Sequence, residues 1–254
     1  MMSTAIMRCP ARADIAARAL DLTISQLRAA IALRGEAHLA LTGGSSAAAL
    51  FDRFVGDESS RRVGWQHVHV WQGDERFVPR DHPDSNWAGA QRDWLDHAQG
   101  PRPRRDHLHP IPVDEAIIAD HHAEWAAATY SAEIERTLGR RARVPSFDVF
   151  LLGVGGDGHI MSTFPGSAAI SGETHPALAV DAPTHIEPHL PRVTLAPFLL
   201  PAAGLVVVMV PGAGKADVMA KILGNEHDPM RWPAQLALLP NAVWLLEPDS
   251  AARL

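Results

Sequence analysis

Apolar positions along this chain alternate between two patterns, one helical and one extended. Between Asp14 and Leu33 they fall at Ile15, Ala19, Leu22, Leu27, Ala30 and Ile31, the spacing of one helix face, and Gly35 supplies a stop. Ala37 to Leu41 then reads as a short strand, and Ala47 to Phe54 as a helix. A second strand is predicted at Val68 to Trp71, a helix at Asn86 to Leu95 capped by Ser85, and a short strand within Leu108 to Ile111. Asp114 to Leu138 reads as one long helix ended by Gly139. Phe147 to Leu152 is apolar apart from Asp148, the mark of a strand buried on both faces of a parallel sheet. Short strands at Ala177 to Val180 and Arg192 to Leu195 follow, then a helix near Pro197 to Ala202. A buried strand at Leu205 to Val210, a helix from Lys215 to Leu223 and a last strand at Val243 to Leu246 complete the pattern. Strands alternating with helices predict an α/β fold: one domain over residues 1–254 with a mostly parallel open sheet and helices on both faces.

Composition narrows the function classes. With 254 residues and 46% hydrophobic content the chain can bury a large core, and its net charge of −6 argues against nucleic acid or an acidic membrane as partner. The one basic cluster, Arg102, Arg104 and Arg105, lies among prolines and reads as a solvated loop. Cys9 is the sole cysteine, which rules out an internal disulfide and suits a reducing cytosol. No N-terminal signal pattern is present, and the longest wholly apolar run, Leu205 to Val210, is too short to span a bilayer. A cytoplasmic protein, monomeric or homodimeric, is the expectation.

Four clusters sit at predicted strand ends. Thr42-Gly43-Gly44-Ser45-Ser46 joins a strand to a helix, either as an anion-binding turn or as an ordinary capped one. Gly73-Asp74-Glu75-Arg76 places two acids beside an arginine, either a surface ion pair or an anion-binding arginine held by acidic neighbours. Gly153 to His159 carries four glycines with Asp157 and His159; it contains GxGxxG, but Pro165 follows too soon for the helix a dinucleotide site requires. Gly214-Lys215 is not a P-loop, because Ala216 stands where Ser or Thr is needed and Met209 where the first glycine should be. A lysine opening a helix opposes its dipole, so Lys215 serves an anion or is simply exposed. His67 and His69 share a strand face and suit chelation, but no third ligand is evident. Strand carboxyl ends share one edge of an open sheet, so the four clusters are placed to converge. Cations and glycine turns suit a phosphorylated ligand, and an Asp–His pair suits general base work on water. Neither a GxSxG elbow nor a cysteine nucleophile is present.

These motifs resemble the 6-phosphogluconolactonases. The resemblance is carried by LTGGSS at Leu41 to Ser46, GDERFVPRDHPDSN at Gly73 to Asn86, FDVFLLGVGGDGHIMSTFPG at Phe147 to Gly166 and PRVTL at Pro191 to Leu195, with a weaker VPGAGKADVMAKIL at Val210 to Leu223. It implies hydrolysis of 6-phospho-D-glucono-1,5-lactone without metal or organic cofactor. It also implies a fold shared with glucosamine-6-phosphate deaminase and ribose-5-phosphate isomerase. It casts His159 as the general base and Asp157 as its orienting acid. Gly43, Gly44, Ser45, Arg76, Lys215 and Arg192 would surround the substrate's anionic groups, Asp74 would position Arg76 or a sugar hydroxyl, and N–H groups of the Gly155 to Gly158 turn would serve as oxyanion donors. Departures from the family pattern occur at Gly156, Ile160-Met161, Thr163, Glu187 to Leu190 and Asp249 to Ala252. Three rivals remain. An amino-sugar phosphate deaminase would carry a glutamate where Phe164 stands. A sugar-phosphate sensor would need a DNA-binding segment, and a degenerate homologue would bind without turnover.

Overall fold

The computed structural model describes residues 4–97, 101–139, 144–170 and 175–254, with the side chain of residue 45 outside the description. The elements run β1 (Ala5–Arg8), α1 (Arg12–Arg34), β2 (Ala37–Leu41), α2 (Gly44–Gly56), β3 (Val68–Gln72), β4 (Asp74–Arg76), α3 (Asn86–Ala90), β5 (Leu108–His109), α4 (Val113–Ile118), α5 (Ala123–Leu138), β6 (Val149–Gly153), β7 (Ala177–Val180), β8 (Arg192–Leu195), β9 (Leu205–Val210), α6 (Ala216–Ile222) and β10 (Ala242–Leu246). Seven strands form a parallel sheet in the order β1-β10-β9-β6-β2-β3-β5, as the α/β pattern predicts. Its core strands are buried on both faces: Phe150, Leu152, Val206 and Val208 join the core under α5 and α6, while Val149, Leu151, Val207 and Met209 join the one under α1 and α2.

The second sheet was not anticipated. β4, β8 and β7 pair antiparallel as a separate three-stranded layer. Gly73 is the pivot between the sheets: its N–H donates to Leu41 O at 2.8 Å and its carbonyl accepts from Leu195 N at 2.7 Å. A Cβ at Gly73 would lie 2.6 Å from that Leu41 oxygen, so the pivot requires glycine. The strand pattern marked β7 and β8 as short strands, but nothing in their spacing said which sheet they enter.

The helix predicted over Asp114 to Leu138 is two helices, broken where Asp120 takes a φ of 55°. β1 gave no apolar alternation because the strand is largely exposed and pairs only with β10. α2 begins at Gly44, three residues earlier than predicted, so the glycine turn is itself the helix N-terminus.

Asp148, the one acid in the apolar run, is buried and partnered: it accepts from the Arg34 guanidinium at the end of α1 and from His38 N at 2.9 Å. It thereby ties the end of α1 to β2 and β6.

His67 and His69 do not share a strand face, since β3 starts at Val68 and His67, itself exposed, ends the single turn before it. His69 instead stacks on His107 at 3.9 Å, and its Nδ1 lies 2.9 Å from Nε2 of His109, whose Nδ1 meets Glu133 at 2.6 Å. Among the described residues no group of three or more His, Cys, Asp or Glu is arranged to hold a metal ion. Burial, with His107 and His109 adding to it, pushes the His69 imidazole from an ordinary 6.5 down to about 4. The unfolded chain therefore binds a proton that the folded chain refuses across that window, and stability falls as pH drops from 6.5 to about 4. Denaturant midpoints at neutral pH and at about pH 4.5 should show a smaller acid loss for His69→Gln than for the natural chain.

Candidate functional site

The chain leaves β2 outward through β3 to β5, and leaves β6 outward the other way through β9 to β10. β2 and β6 are neighbours, so a crevice opens between their carboxyl ends, the place where open α/β sheets bind ligands. A cleft of about 220 Å³ lies there, lined by Thr42, Gly43, Gly44, Ser46, Asp74, Arg76, Asn86, Gly153, His159, Met161, Arg192 and Lys215. All four sequence clusters meet in it. A larger hollow of about 660 Å³ between α5 and β7 is mostly apolar and contains none of the predicted site residues.

His159 and Asp157 form a pair, with Nδ1 of the imidazole 2.5 Å from Oδ1 of the carboxylate. The other carboxylate oxygen meets Nε2 of His185 at 2.8 Å. Burial works to raise the Asp157 pKa, but hydrogen bonds and charge from His159 and a hydrogen bond from His185 outweigh it, holding the group well below the usual carboxylate range. A carboxylate can only accept, so Nδ1 of His159 carries the proton and the lone pair is left on Nε2. The turn is shaped for this ring: a Cβ on Gly155 would sit 2.1 Å from Nδ1 of His159. Gly158, at φ 86°, packs against Trp232 and Val218. The N–H groups of Gly155 and Gly158 are spent on His159 O and Gly155 O, which leaves Gly156 and Asp157 as the turn's available donors.

Cations face this pair. Arg76 and Arg192 are directly opposite each other across β4 and β8. Arg192 is buried, donates to the carbonyls of Pro188 at 3.0 Å and Leu190 at 3.3 Å, and lies 5.4 Å over the Phe164 ring. Burial and then the charge of Arg76 lower its pKa. Arg76 donates to Asp84 O at 2.6 Å, and its buried Nε has no hydrogen-bond partner. Lys215 is half-buried, and burial lowers its pKa against the pull of Asp157. The start of α2 adds backbone N–H groups with no side-chain cap at Gly43. Gly43 and Gly44 line the cleft, and a Cβ on Gly43 would strike Asn86 at 2.0 Å.

The acids of the DER cluster do not hold the arginine as expected. Glu75 is buried and accepts from Gln72, Ser85, and the N–H groups of Arg76, Asn86 and Trp87, fastening the start of α3. Asp74 accepts from Ser162 Oγ at 2.6 Å and from Asn86 Nδ2 at 3.4 Å, not from the Arg76 guanidinium. The side chain of Ser45 lies outside the described residues. His185, Ser162 and Asn86 went unassigned in the sequence. Asn86 stands inside the DSN motif and was legible only as a helix start, whereas His185 sits in an irregular proline-rich loop that gives no periodic signal.

Comparison with known proteins places the chain in a family. The family model described as glucosamine-6-phosphate isomerases/6-phosphogluconolactonase matches residues 10–245. The 6-phosphogluconolactonase of Mycobacterium tuberculosis is 34% identical over 254 residues, covering 100% of this chain and 99% of that protein. The chain belongs to the 6-phosphogluconolactonase family. The Synechocystis 6-phosphogluconolactonase is 34% identical over 93% of this chain and 92% of its own length. Among solved structures, the 6-phosphogluconolactonase from Trypanosoma cruzi superposes with a TM-score of 0.85 at 25% identity, covering 100% of this chain and 97% of that one. A monomeric glucosamine-6-phosphate deaminase shares the fold at a TM-score of 0.78 and 16% identity. Among the described residues no helix is long and apolar enough to cross a membrane.

Because the ring of His159 occupies the space above Gly155, Gly155→Ala should leave the circular-dichroism spectrum unchanged while lowering turnover about a hundredfold, the scale of loss that a displacement of about an ångström causes at a reacting centre. Turnover within twofold of the natural enzyme would show that the imidazole position is not critical.

Proposed function

We propose that the chain hydrolyses 6-phospho-D-glucono-1,5-lactone to 6-phospho-D-gluconate, a step of the pentose phosphate pathway, using His159 to activate water. The observation that carries the reading is the His159 imidazole, its Nδ1 held by Asp157, in one cleft with Arg76, Arg192 and Lys215. In this reading Nε2 takes a proton from a water molecule as its oxygen bonds to the lactone carbonyl carbon. The imidazolium that forms is stabilised by Asp157. Negative charge develops on the carbonyl oxygen, where the N–H groups of Gly156 and Asp157 and the nearby cations are the donors at hand. The tetrahedral intermediate collapses by breaking the bond from the carbonyl carbon to the ring oxygen. The imidazolium returns its proton to that oxygen, and the free acid ionises to the carboxylate. No group is consumed, and the ring oxygen leaves as an alcohol.

The phosphate end is assigned to Arg76, Lys215 and the first N–H groups of α2. Arginine suits a planar, multidentate grip and a helix start adds its positive end. Arg192 is less available, because backbone carbonyls already take part of its guanidinium. The deaminase reading lacks support here: where an acid would be needed to open a sugar ring, Phe164 packs its ring 4.8 Å from the His159 imidazole.

Against the uncatalysed opening of the lactone, His159→Ala should lower turnover by at least about a hundredfold, the usual share of a general base, with the fold retained. Near-normal turnover would remove His159 from the mechanism. Arg76→Ala and Lys215→Ala should chiefly raise the KM for the phosphorylated lactone and affect unphosphorylated gluconolactone much less. Equal losses on both substrates would refute the phosphate assignment.

A further inference from the structure

Asp157 serves two imidazoles. His159 holds one carboxylate oxygen at 2.5 Å and His185 the other at 2.8 Å, from a loop 28 positions further along the chain. The loop that carries His185 is irregular and is tied down at few points. Nδ1 of His189 meets the Pro183 carbonyl at 2.6 Å, and Arg192 holds Pro188 and Leu190. Phe164 stands between the two imidazoles, its ring 4.8 Å from His159 and edge-on to His185 at 6.0 Å.

We propose that His185 is a positioning residue of the reaction, its Nε2–H clamping the second oxygen of Asp157 so that the carboxylate plane, and through it the His159 ring, is fixed from both sides. The proposal rests on the reading of His159 as general base. Without His185, Asp157 is held only by the residue it must orient, through the ring and the backbone N–H of His159 at 3.2 Å. A carboxylate with one free oxygen can rotate, and rotation turns Nε2 away from the attacking water.

The clamp also sets the charge that His159 feels. A donor on Oδ2 draws carboxylate charge away from Oδ1, and loss of that donor returns the charge to the oxygen that faces the His159 ring. The other charged groups around the pair are Lys215, which feels the Asp157 carboxylate, Arg192 over Phe164, and Asp181, which lines one hollow with His185 and Phe164. His185 is half-exposed, so its replacement leaves no buried cavity.

The test compares the natural enzyme with His185→Leu and His185→Gln, using steady-state hydrolysis of the phosphorylated lactone across pH, corrected for spontaneous opening, and NMR titration of the His159 imidazole. His185→Leu should lower kcat about tenfold with little change in KM. It should also raise both the acid-limb midpoint and the His159 titration midpoint by about half a pH unit. His185→Gln, whose amide can still donate to Oδ2, should recover most of the lost kcat. A leucine variant with natural kcat and an unmoved acid limb overturns the proposal. So does a loss of kcat with unchanged titration of His159, which would mark His185 as loop scaffolding only. If His159→Ala keeps its turnover, the general-base reading fails separately. The NMR midpoint in His185→Leu then still decides whether the clamp exists.

Discussion

A parallel sheet that reverses its winding between two neighbouring strands must leave a gap at their carboxyl ends, and the site is built around that gap. From β2 the chain moves one way and from β6 the other, so no crossover helix covers the space between Thr42 and Gly153. The start of α2 and the turn that carries Asp157 and His159 are the two lips of the crevice. β9 brings Lys215 alongside, and the small sheet, hinged at Gly73, lays Arg76 and Arg192 across the opening. Residues more than a hundred positions apart become neighbours because the topology admits few alternatives.

Placing three cations around one crevice works against folding, and the surroundings show how that is offset. Arg76 and Arg192 oppose each other across two strands, and desolvation lowers the pKa of Arg192 further. Asp74, Glu75 and Asp84 supply the compensating negative charge, and backbone carbonyls take several guanidinium hydrogens. None of these acids bonds an arginine head directly in the cleft, which leaves Arg76 and Lys215 more available to an anion than the carbonyl-bound Arg192. Asp157 has the opposite character. Two imidazoles keep it charged despite burial, and in the proposed reaction that charge stabilises the imidazolium formed once His159 has taken its proton.

The sequence disclosed more of the site than of its frame. Glycines at 43, 155 and 158 were visible as turns, and each is required by a close approach or a left-handed backbone that its neighbours impose; Gly73 is required as well, but its role as a pivot was not visible. The central strands were legible because burial on both faces leaves an unbroken apolar run. The second sheet was not, since a three-residue strand such as Asp74–Arg76 is too short for periodicity and its partner lies at Arg192–Leu195. The split between α4 and α5 escaped because both halves carry helical spacing, and only the left-handed Asp120 marks the break. The role of Glu75 was misread for a related reason. Adjacency in sequence suggested a pair with Arg76, whereas the carboxylate turns inward to hold the N–H groups at the start of α3. His185 was illegible because a loop residue is brought to Asp157 by tertiary packing alone.

In the proposed function one crevice holds an imidazole at one end and the cations that bind phosphate at the other. A crystal structure with bound 6-phosphogluconate tests it directly. The account predicts the phosphate on Arg76, Lys215 and the first N–H groups of α2, and the carboxylate carbon beside Nε2 of His159. A product found with its phosphate on the Arg102 to Arg105 loop, or with its carboxylate turned away from His159, would contradict it.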